Sequence, residues 1–537
     1  MTKPRTPKVV PTRKAPKTEQ PTAFHERIHE VSRSAYGAKV NRRAADRLRG
    51  GYLWVYASDI ESLELPKGGP PALLPVADSR GLLLGTALYS PSSQIALRMV
   101  SRSGLDEAGW LRLLDERLRA AIGRRKPLLD ERNNACRLCF SEADELPGVV
   151  ADKYGELVIL QLLTKGLDSA AVRETCVRVL REELEPAAIL ERPDPRVREL
   201  EGLAAPSTEP LFVADDVKWR VAEEMPAGAK AQDYFDDSSA RLKSCPDTKP
   251  GVSADGQIAS TQIADGQSTS ARIADDQSRS AQIADGQSRS AQIVSGKNFG
   301  EQNTSTRIAS SRIASTQFLL NGLRFYYDAN AGQKTGAFLD QRDNYAAAAE
   351  WARRLGAANS GAAGRALDVC CYQGGFALHL AQVCGQVTGI DSSRASLEVA
   401  ERNLEANRDR IAAQVDWVEA DAFEILRDWA TSQKFDVIVL DPPAFAKTKR
   451  AVEGALRGYK ELNLRALKML SPGGLLVTCS CSHHVSWSDL EASVASAAAD
   501  AGRRVRLLER RGAALDHPVV LNLPETEYLK CLVLEVE

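Results

Sequence analysis

Apolar and polar positions alternate most regularly in the last third of the chain. From Arg365 onward, runs at Ala366 to Cys370, Gln386 to Ile390, Val415 to Glu419, Phe435 to Leu440 and Gly474 to Cys479 predict successive strands, most followed by a helical stretch. Strand and helix in turn predict a doubly wound α/β domain over residues 318–537. A last apolar run, Tyr528 to Val536, predicts a late strand, either at the sheet edge or inserted into it.

The N-terminal half reads differently. Aromatic and apolar residues from Gly51 to Ile60, and strands at Leu73 to Ala77 and Leu82 to Tyr89 around the turn Asp78 to Gly81, predict a small β-rich domain over residues 36–110. Trp110, Leu114, Leu118 and Ile122 recur at the spacing of one helix face. Leu138 to Phe140, Val149 to Ala151 and Leu157 to Leu163 then read as strands, the last two around the turn Asp152 to Gly155. A helical stretch from Asp168 completes a small α+β domain over 111–243.

Two segments lack a core pattern. In residues 1–35, Lys3, Arg5, Lys8, Arg13, Lys14 and Lys17 precede the first acid, Glu19, among Pro4, Pro7, Pro11 and Pro16. This composition suits a disordered solvated tail, and the sharper reading is an arm that releases counterions on a nucleic acid. Over 244–317, Ile263, Ile273, Ile283 and Ile293 recur at a fixed period with Asp265, Asp275 and Asp285. One large apolar residue per repeat is too few for a stacked core, so the segment reads as a disordered insertion without chemistry.

Composition narrows the function. Seventy bases against 71 acids give the 537 residues a net charge of −1, so RNA affinity has to come from local patches. No apolar run is long enough to cross a bilayer, and ten scattered cysteines fit reduced thiols, so a cytoplasmic protein without membrane contact is expected. Cys136 and Cys139 have C-x-x-C spacing without a second pair, so no metal is expected.

The first strand of the α/β domain ends in Asp368-Val-Cys-Cys-Tyr372-Gln-Gly374-Gly375-Phe376, and a helix follows at once. Adjacent glycines let a ligand approach the backbone there. Asp391, at the tip of the second strand, is placed to accept from the two hydroxyls of an adenosine ribose. Asp421, after the third, could hold the adenine amino group. NAD would want Gly-x-Gly-x-x-Gly, which is absent; S-adenosylmethionine carries no phosphate and suits the looser turn. Each acid alone reads as a cap or turn residue; acids and a glycine turn at the same ends of consecutive strands read as a site.

The fourth strand runs into Asp441-Pro442-Pro443-Ala444-Phe445. The prolines hold the exit extended, so an acid and an aromatic project together, which suits the edge and the face of a planar base. Cys479 and Cys481 follow the fifth strand, with His483 and His484 beside them. Cysteine there is commonly core filler. Across a base pocket it offers a nucleophile instead: cytosine C5 reacts poorly until a thiolate adds at C6. The histidines either lower a thiol's pKa or face solvent.

Taken in order, Tyr89-Ser-Pro-Ser-Ser-Gln94, Leu146-Pro-Gly148, Gln333-Lys-Thr-Gly336, Leu339-Asp-Gln-Arg342, Tyr372-Gln-Gly-Gly-Phe376, Asp441-Pro-Pro443, Gly458-Tyr-Lys460, Ser480-Cys-Ser482 and Asp516-His-Pro518 resemble a known family. It is that of the class I S-adenosylmethionine-dependent methyltransferases that make 5-methylcytosine in large-subunit (23S-type) ribosomal RNA and carry an N-terminal PUA domain. The resemblance implies a PUA domain at 36–110, a central α+β domain and a C-terminal Rossmann-like domain. It selects Cys481 over Cys479 as nucleophile and makes Asp441 the partner of the cytosine N3 and N4 edge. Pro442, Pro443 and Phe445 would touch the base. Gln341 and Arg342 would hold the methionine end of S-adenosylmethionine, and Asp368, Tyr372, Gly374, Gly375, Phe376, Asp391, Ser392, Asp421 and Ala422 would line the rest of its site.

Two positions depart from the pattern: His483 stands where glycine is usual, and Ala444 where a longer, basic residue is common. Homodimer formation is left open. Two rivals stand beside this reading: methylation of a base amine, which needs no thiol, and an RNA-binding assembly factor that keeps the fold without catalysis.

Overall fold

The computed structural model describes residues 36–67, 71–205, 207–215, 315–329, 337–358, 364–446 and 448–537. The basic tail, nearly all of the repeat insertion and the Gln333 to Gly336 motif lie outside the described residues.

Six strands, β1 (Gly37–Val40), β2 (Trp54–Val55), β3 (Ile60–Glu64), β4 (Leu73–Asp78), β5 (Leu83–Tyr89) and β6 (Leu97–Ser101), form the first sheet in the order 2-6-5-4-1-3. The predicted turn between β4 and β5 is built by Asp78, whose Oδ1 accepts from the N–H groups of Arg80 and Leu82, both at 3.0 Å. Val40, Val55, Leu74, Val76 and Leu97 fill the core beneath.

The predicted amphipathic helix runs Glu107–Arg125, capped by Asp106, and buries Trp110, Leu114, Leu118 and Ile122. It packs among Leu138, Val149, Leu160 and Val179 of the central domain. A boundary drawn after residue 110 therefore cuts the helix, and the divide falls before Glu107. The second sheet holds β7 (Ala135–Phe140), β8 (Val149–Tyr154), β9 (Leu157–Leu162), β10 (Ala188–Glu191) and β11 (Phe212–Val213), in the order 11-10-9-8-7. The turn expected at Asp152 to Gly155 is shorter. Asp152 to Tyr154 stay in β8 because buried Asp152 takes the Arg137 guanidinium at 2.8 and 3.0 Å, and Tyr154 stacks on Tyr327 at 4.1 Å. These tertiary partners outweigh local turn chemistry.

Tyr327 belongs to a hairpin, β12 (Ser315–Leu320) and β13 (Leu323–Asp328), so the last three residues assigned to the insertion are strand. Asparagines satisfy both of its edges: Asn133 and Asn134 accept from the N–H groups of Asn321 and Leu319, and Asn407 and Asn403 from those of Arg324 and Tyr326. Phe318, Leu320, Leu323 and Phe325 share one core with Leu157 and Ile159 of the second sheet and with Leu378 and Leu380 of the next domain.

The seven-stranded sheet contains β14 (Arg365–Val369), β15 (Gln386–Asp391), β16 (Gln414–Glu419), β17 (Phe435–Leu440), β18 (Leu470–Ser480), β19 (Val505–Arg511) and β20 (Lys530–Val536). Its order is 16-15-14-17-18-20-19, parallel from β16 to β18, with helices packed against the sheet, as in a Rossmann-like fold. The late strand β20 is inserted, antiparallel to both β18 and β19. Cys531, Leu532, Val533, Leu534 and Val536 are all buried, and so continuous an apolar run cannot lie at an edge. Strand order reverses between β14 and β17, and ligands of open α/β sheets bind at the carboxyl ends of such strands. Among the described residues no helix is long and apolar enough to cross a membrane.

Candidate active site

The turn after β14 is conformationally demanding. Cys370, Tyr372 and Gly374 take φ of 63°, 50° and 82°, two of them without glycine's freedom. A Cβ on Gly374 would lie 2.8 Å from the Trp417 ring, and one on Gly375 would lie 2.4 Å from that of Tyr345. The backbone is bare because neighbouring rings leave no room for a side chain. Asp391 holds the turn from the next strand: its Oδ2 accepts from Tyr372 N at 2.9 Å and its Oδ1 from Ser393 N at 2.8 Å. Ser392 is exposed at the same tip.

Asp368 is fully buried. Its Oδ2 accepts from Ala377 N at 2.8 Å, its Oδ1 has no partner among the described residues, and burial pushes its carboxyl well above the ordinary range. Asp421 caps the helix Ala422–Trp429, accepting from Phe423 N and Glu424 N, so the cap reading holds for one of its oxygens. A bare glycine turn, a carboxylate at the next strand tip and a third acid beyond it fit S-adenosylmethionine.

Two other residues lie elsewhere. Phe376 faces the core, edge-on to Tyr345 at 4.7 Å. Arg342 is buried beside Asp516, at 3.6 Å, and near the Ala135 carbonyl, at 3.4 Å, in the joint to the central domain. Arg137 N also donates to Asp516, at 2.9 Å, and His517 Nδ1 lies 3.0 Å from its other oxygen. The Asp516-His-Pro518 motif thus belongs to an ionic joint.

Asp441 leaves β17 with its N–H on the Val369 carbonyl, at 3.2 Å. Gln341 Nε2 donates to its Oδ2 at 3.0 Å. Burial, then the charge of Asp340, push the Asp441 carboxyl up to about 7, against the Gln341 hydrogen bond. Pro442 is buried and Pro443 exposed. Phe445 packs against Tyr459 at 4.9 Å and Phe423 at 5.9 Å, making an aromatic shelf.

The two thiols after β18 differ. Cys479 is fully buried and hydrogen-bonded with Cys531, its cross-strand partner, and with Gln341; the Cys531 bond, then burial, raise its pKa well above the ordinary range. Cys481 is half-buried, its Sγ 3.9 Å from the Pro442 carbonyl oxygen. The flanking serines are occupied: Ser480 Oγ donates to the Tyr459 hydroxyl at 2.9 Å, and Ser482 Oγ lies 3.0 Å from the same hydroxyl. His483 is exposed, and partial desolvation, then the charge of His484, hold it below its ordinary pKa.

Sequence reasoning missed Asp340, Tyr528 and Lys530. Tyr528 donates to Asp340 at 2.6 Å. Lys530 is a buried cation at the start of β20. Its only signal in the sequence was a lysine near the start of the mainly apolar run Tyr528 to Val536.

Residues 38–102 match the PUA-like domain, and residues 267–519 match the S-adenosylmethionine-dependent methyltransferases. A protein named ribosomal RNA large subunit methyltransferase I from Tolumonas auensis is 29% identical over 487 residues, 89% of this chain and 94% of that protein. One of the same name from Klebsiella pneumoniae is 28% identical, across 89% of this chain and 92% of its own. A solved Streptococcus mutans chain, described as a methyltransferase dependent on S-adenosylmethionine, superposes with a TM-score of 0.61 at 16% identity, covering 93% of this chain and 99% of that one. A further solved methyltransferase with the same TM-score of 0.61 holds S-adenosylhomocysteine. The chain thus joins a PUA-like domain to an S-adenosylmethionine-dependent methyltransferase domain.

Proposed function

We propose that the chain methylates C5 of a cytosine in large-subunit ribosomal RNA, with Cys481 as the covalent nucleophile. The names of the relatives and the PUA-like domain support the RNA class. The observation that carries the base chemistry is the opposition of Cys481 Sγ to the Pro442 carbonyl at 3.9 Å, at the mouth of Asp441-Pro-Pro443. Cys479, sealed against Cys531, is far less accessible.

S-adenosylmethionine supplies an electrophilic methyl carbon. Asp391 and Ser392 are suited to its ribose, Asp421 and Ala422 to its adenine, the backbone from Tyr372 to Gly375 to its centre, and Gln341 to its methionine end. Asp441, with a pKa near 7, is substantially protonated at neutral pH. A neutral carboxyl offers an O–H to cytosine N3 and a carbonyl oxygen to the N4 amino group, matching both at once.

Hydrogen bonding at N3 makes C6 more electrophilic. The Cys481 thiolate then forms a bond to C6, and the C5–C6 π electrons become a nucleophilic enamine at C5. After methylation, loss of the C5 proton returns its electron pair to the C5–C6 bond and expels the thiolate. The Phe445 shelf stacks the base.

The test is to incubate the protein with methyl-labelled S-adenosylmethionine and large-subunit ribosomal RNA, then identify the labelled nucleoside by mass. Label in 5-methylcytidine, lost in Cys481→Ala, is the expected result. Label on an exocyclic amine with full activity in Cys481→Ala would overturn it, and failure to bind S-adenosylmethionine would point to the assembly-factor reading.

A further inference from the structure

Lys530 opens β20 directly opposite Ser480 of β18. It is 3% exposed, and its Nζ donates to two main-chain oxygens, those of Ser482 and Tyr528, each at 3.1 Å. An ammonium has three donors and a full charge, yet Lys530 makes no salt bridge among the described residues. A charge buried without a counter-charge is strongly disfavoured.

The anionic groups around it are few. Glu527 and Asp489 interact with it electrostatically, but Glu527 is exposed and accepts from the Trp487 indole at 2.9 Å, and Asp489 is the capping partner of Ser486. The other group that interacts with its charge is Cys481. That residue lies between Ser480, opposite Lys530, and Ser482, whose carbonyl Lys530 holds. From the loop after β18, His483 and His484 face the same region; Glu525 bears on His483, and Tyr459 approaches from the helix Val452–Met469.

We infer that Lys530 is a positioning residue for the reaction proposed above: its ammonium anchors the Ser480-Cys-Ser482 loop through the Ser482 carbonyl and supplies the counter-charge that keeps Cys481 a thiolate. The inference rests on Cys481 being the nucleophile. The proton leaves the Cys481 sulfur for solvent, and the pair left behind is one ammonium and one thiolate, neutral together. Burial lowers the Lys530 pKa, and the thiolate opposes that shift, so each group favours the charged form of the other.

Alkylation by iodoacetamide, read on the Cys481 peptide by mass spectrometry from about pH 5 to about pH 9.5, tests this in the full chain. In the wild type, reactivity should rise through a midpoint below the ordinary thiol value of about 8.5. Lys530→Met should move that midpoint up by about one unit and slow alkylation at neutral pH by about tenfold. Lys530→Arg should retain most of the reactivity, and S-adenosylhomocysteine binding should be unchanged in both variants. A wild-type midpoint at or above the ordinary value overturns the inference even if the variants fail to fold, and so does an unchanged midpoint in folded Lys530→Met. Methyl transfer by Cys481→Ser separates the two proposals: if it is lost while the midpoint is unmoved, only the role of Lys530 falls; if it is retained, the nucleophile reading falls first.

Discussion

Gln341 Nε2 donates to Asp441 Oδ2 across 3.0 Å, tying the turn before the helix Arg342–Ala358 to the end of β17. The amide cannot swing away freely, because its oxygen accepts from Asn344 Nδ2 at 2.7 Å. This bond stabilises the ionised form of Asp441, against burial and Asp340. Gln341→Leu is therefore expected to raise the Asp441 midpoint by about one unit. The alkaline limb of the pH profile for methyl transfer should move up with it, and an unmoved limb would show that Asp441 does not act in its neutral form.

Asp441 also carries a stability signature. Between the ordinary carboxyl value and about 7, the folded chain holds a proton there that the unfolded chain has released. Stability therefore falls as pH rises through that window, and the penalty is complete above it. Asp441→Asn should abolish this slope and be more stable than the wild type at pH 8, as measured by urea titration across pH.

His379 works in the opposite sense. Buried between the Gly375 carbonyl, 2.7 Å from Nδ1, and Asn321 Nδ2, 3.1 Å from Nε2, it is held neutral, with a pKa lowered by burial to about 4. As pH falls from 6.5 towards 4, the unfolded chain binds a proton that the folded one refuses, so stability drops through that window. His379→Gln should flatten this acid limb. Thermal melting across pH measures it, and an unchanged slope would contradict the assignment.

The glycine turn predicts a split between folding and binding. A methyl on Gly375 meets the Tyr345 ring at 2.4 Å, so Gly375→Ala forces that buried ring to shift. Overpacking of this kind costs about 1–3 kcal/mol. S-adenosylhomocysteine affinity by calorimetry is expected to fall by about tenfold or more, against about 1–3 kcal/mol in global stability. Wild-type affinity in the variant would remove the turn from the cofactor site.

At the joint between the central and methyltransferase domains, burial opposes the charge of Asp516, but His517 and Arg342 outweigh it and hold its carboxyl below the ordinary range. Asp516→Ala leaves buried Arg342 without that partner and should cost about 3–5 kcal/mol. Denaturant titration would show it, and a loss under about 1 kcal/mol would mean that the joint carries little strain.

Much of the site was legible because its signals are short and local. The glycine pair after β14, Asp391 at the end of β15, Asp441-Pro-Pro443 after β17 and Ser480-Cys-Ser482 after β18 each combine an apolar run with an abrupt polar or glycine ending. Once strand and helix alternate, such endings gather at one edge of the sheet. The same reasoning misjudged the turn after Ala151 and the start of the hairpin at Ser315, where buried partners distant in sequence decide the conformation.

The pattern of residues by itself determined the fold class and marked the glycine turn, the acid of Asp441-Pro-Pro443 and the cysteines after β18 as candidates, since each depends on neighbours along the chain and on the two-residue and four-residue periods of strand and helix. Only the tertiary structure decided that Tyr528 to Val536 enters the sheet between two strands, and so that Lys530 lies beside Cys481, Asp340 near Asp441 and Arg342 in the domain joint. Strand register and the desolvation of charge arise from contacts between segments 48 to 207 residues apart, and an ionisable group's chemistry follows from what is buried beside it.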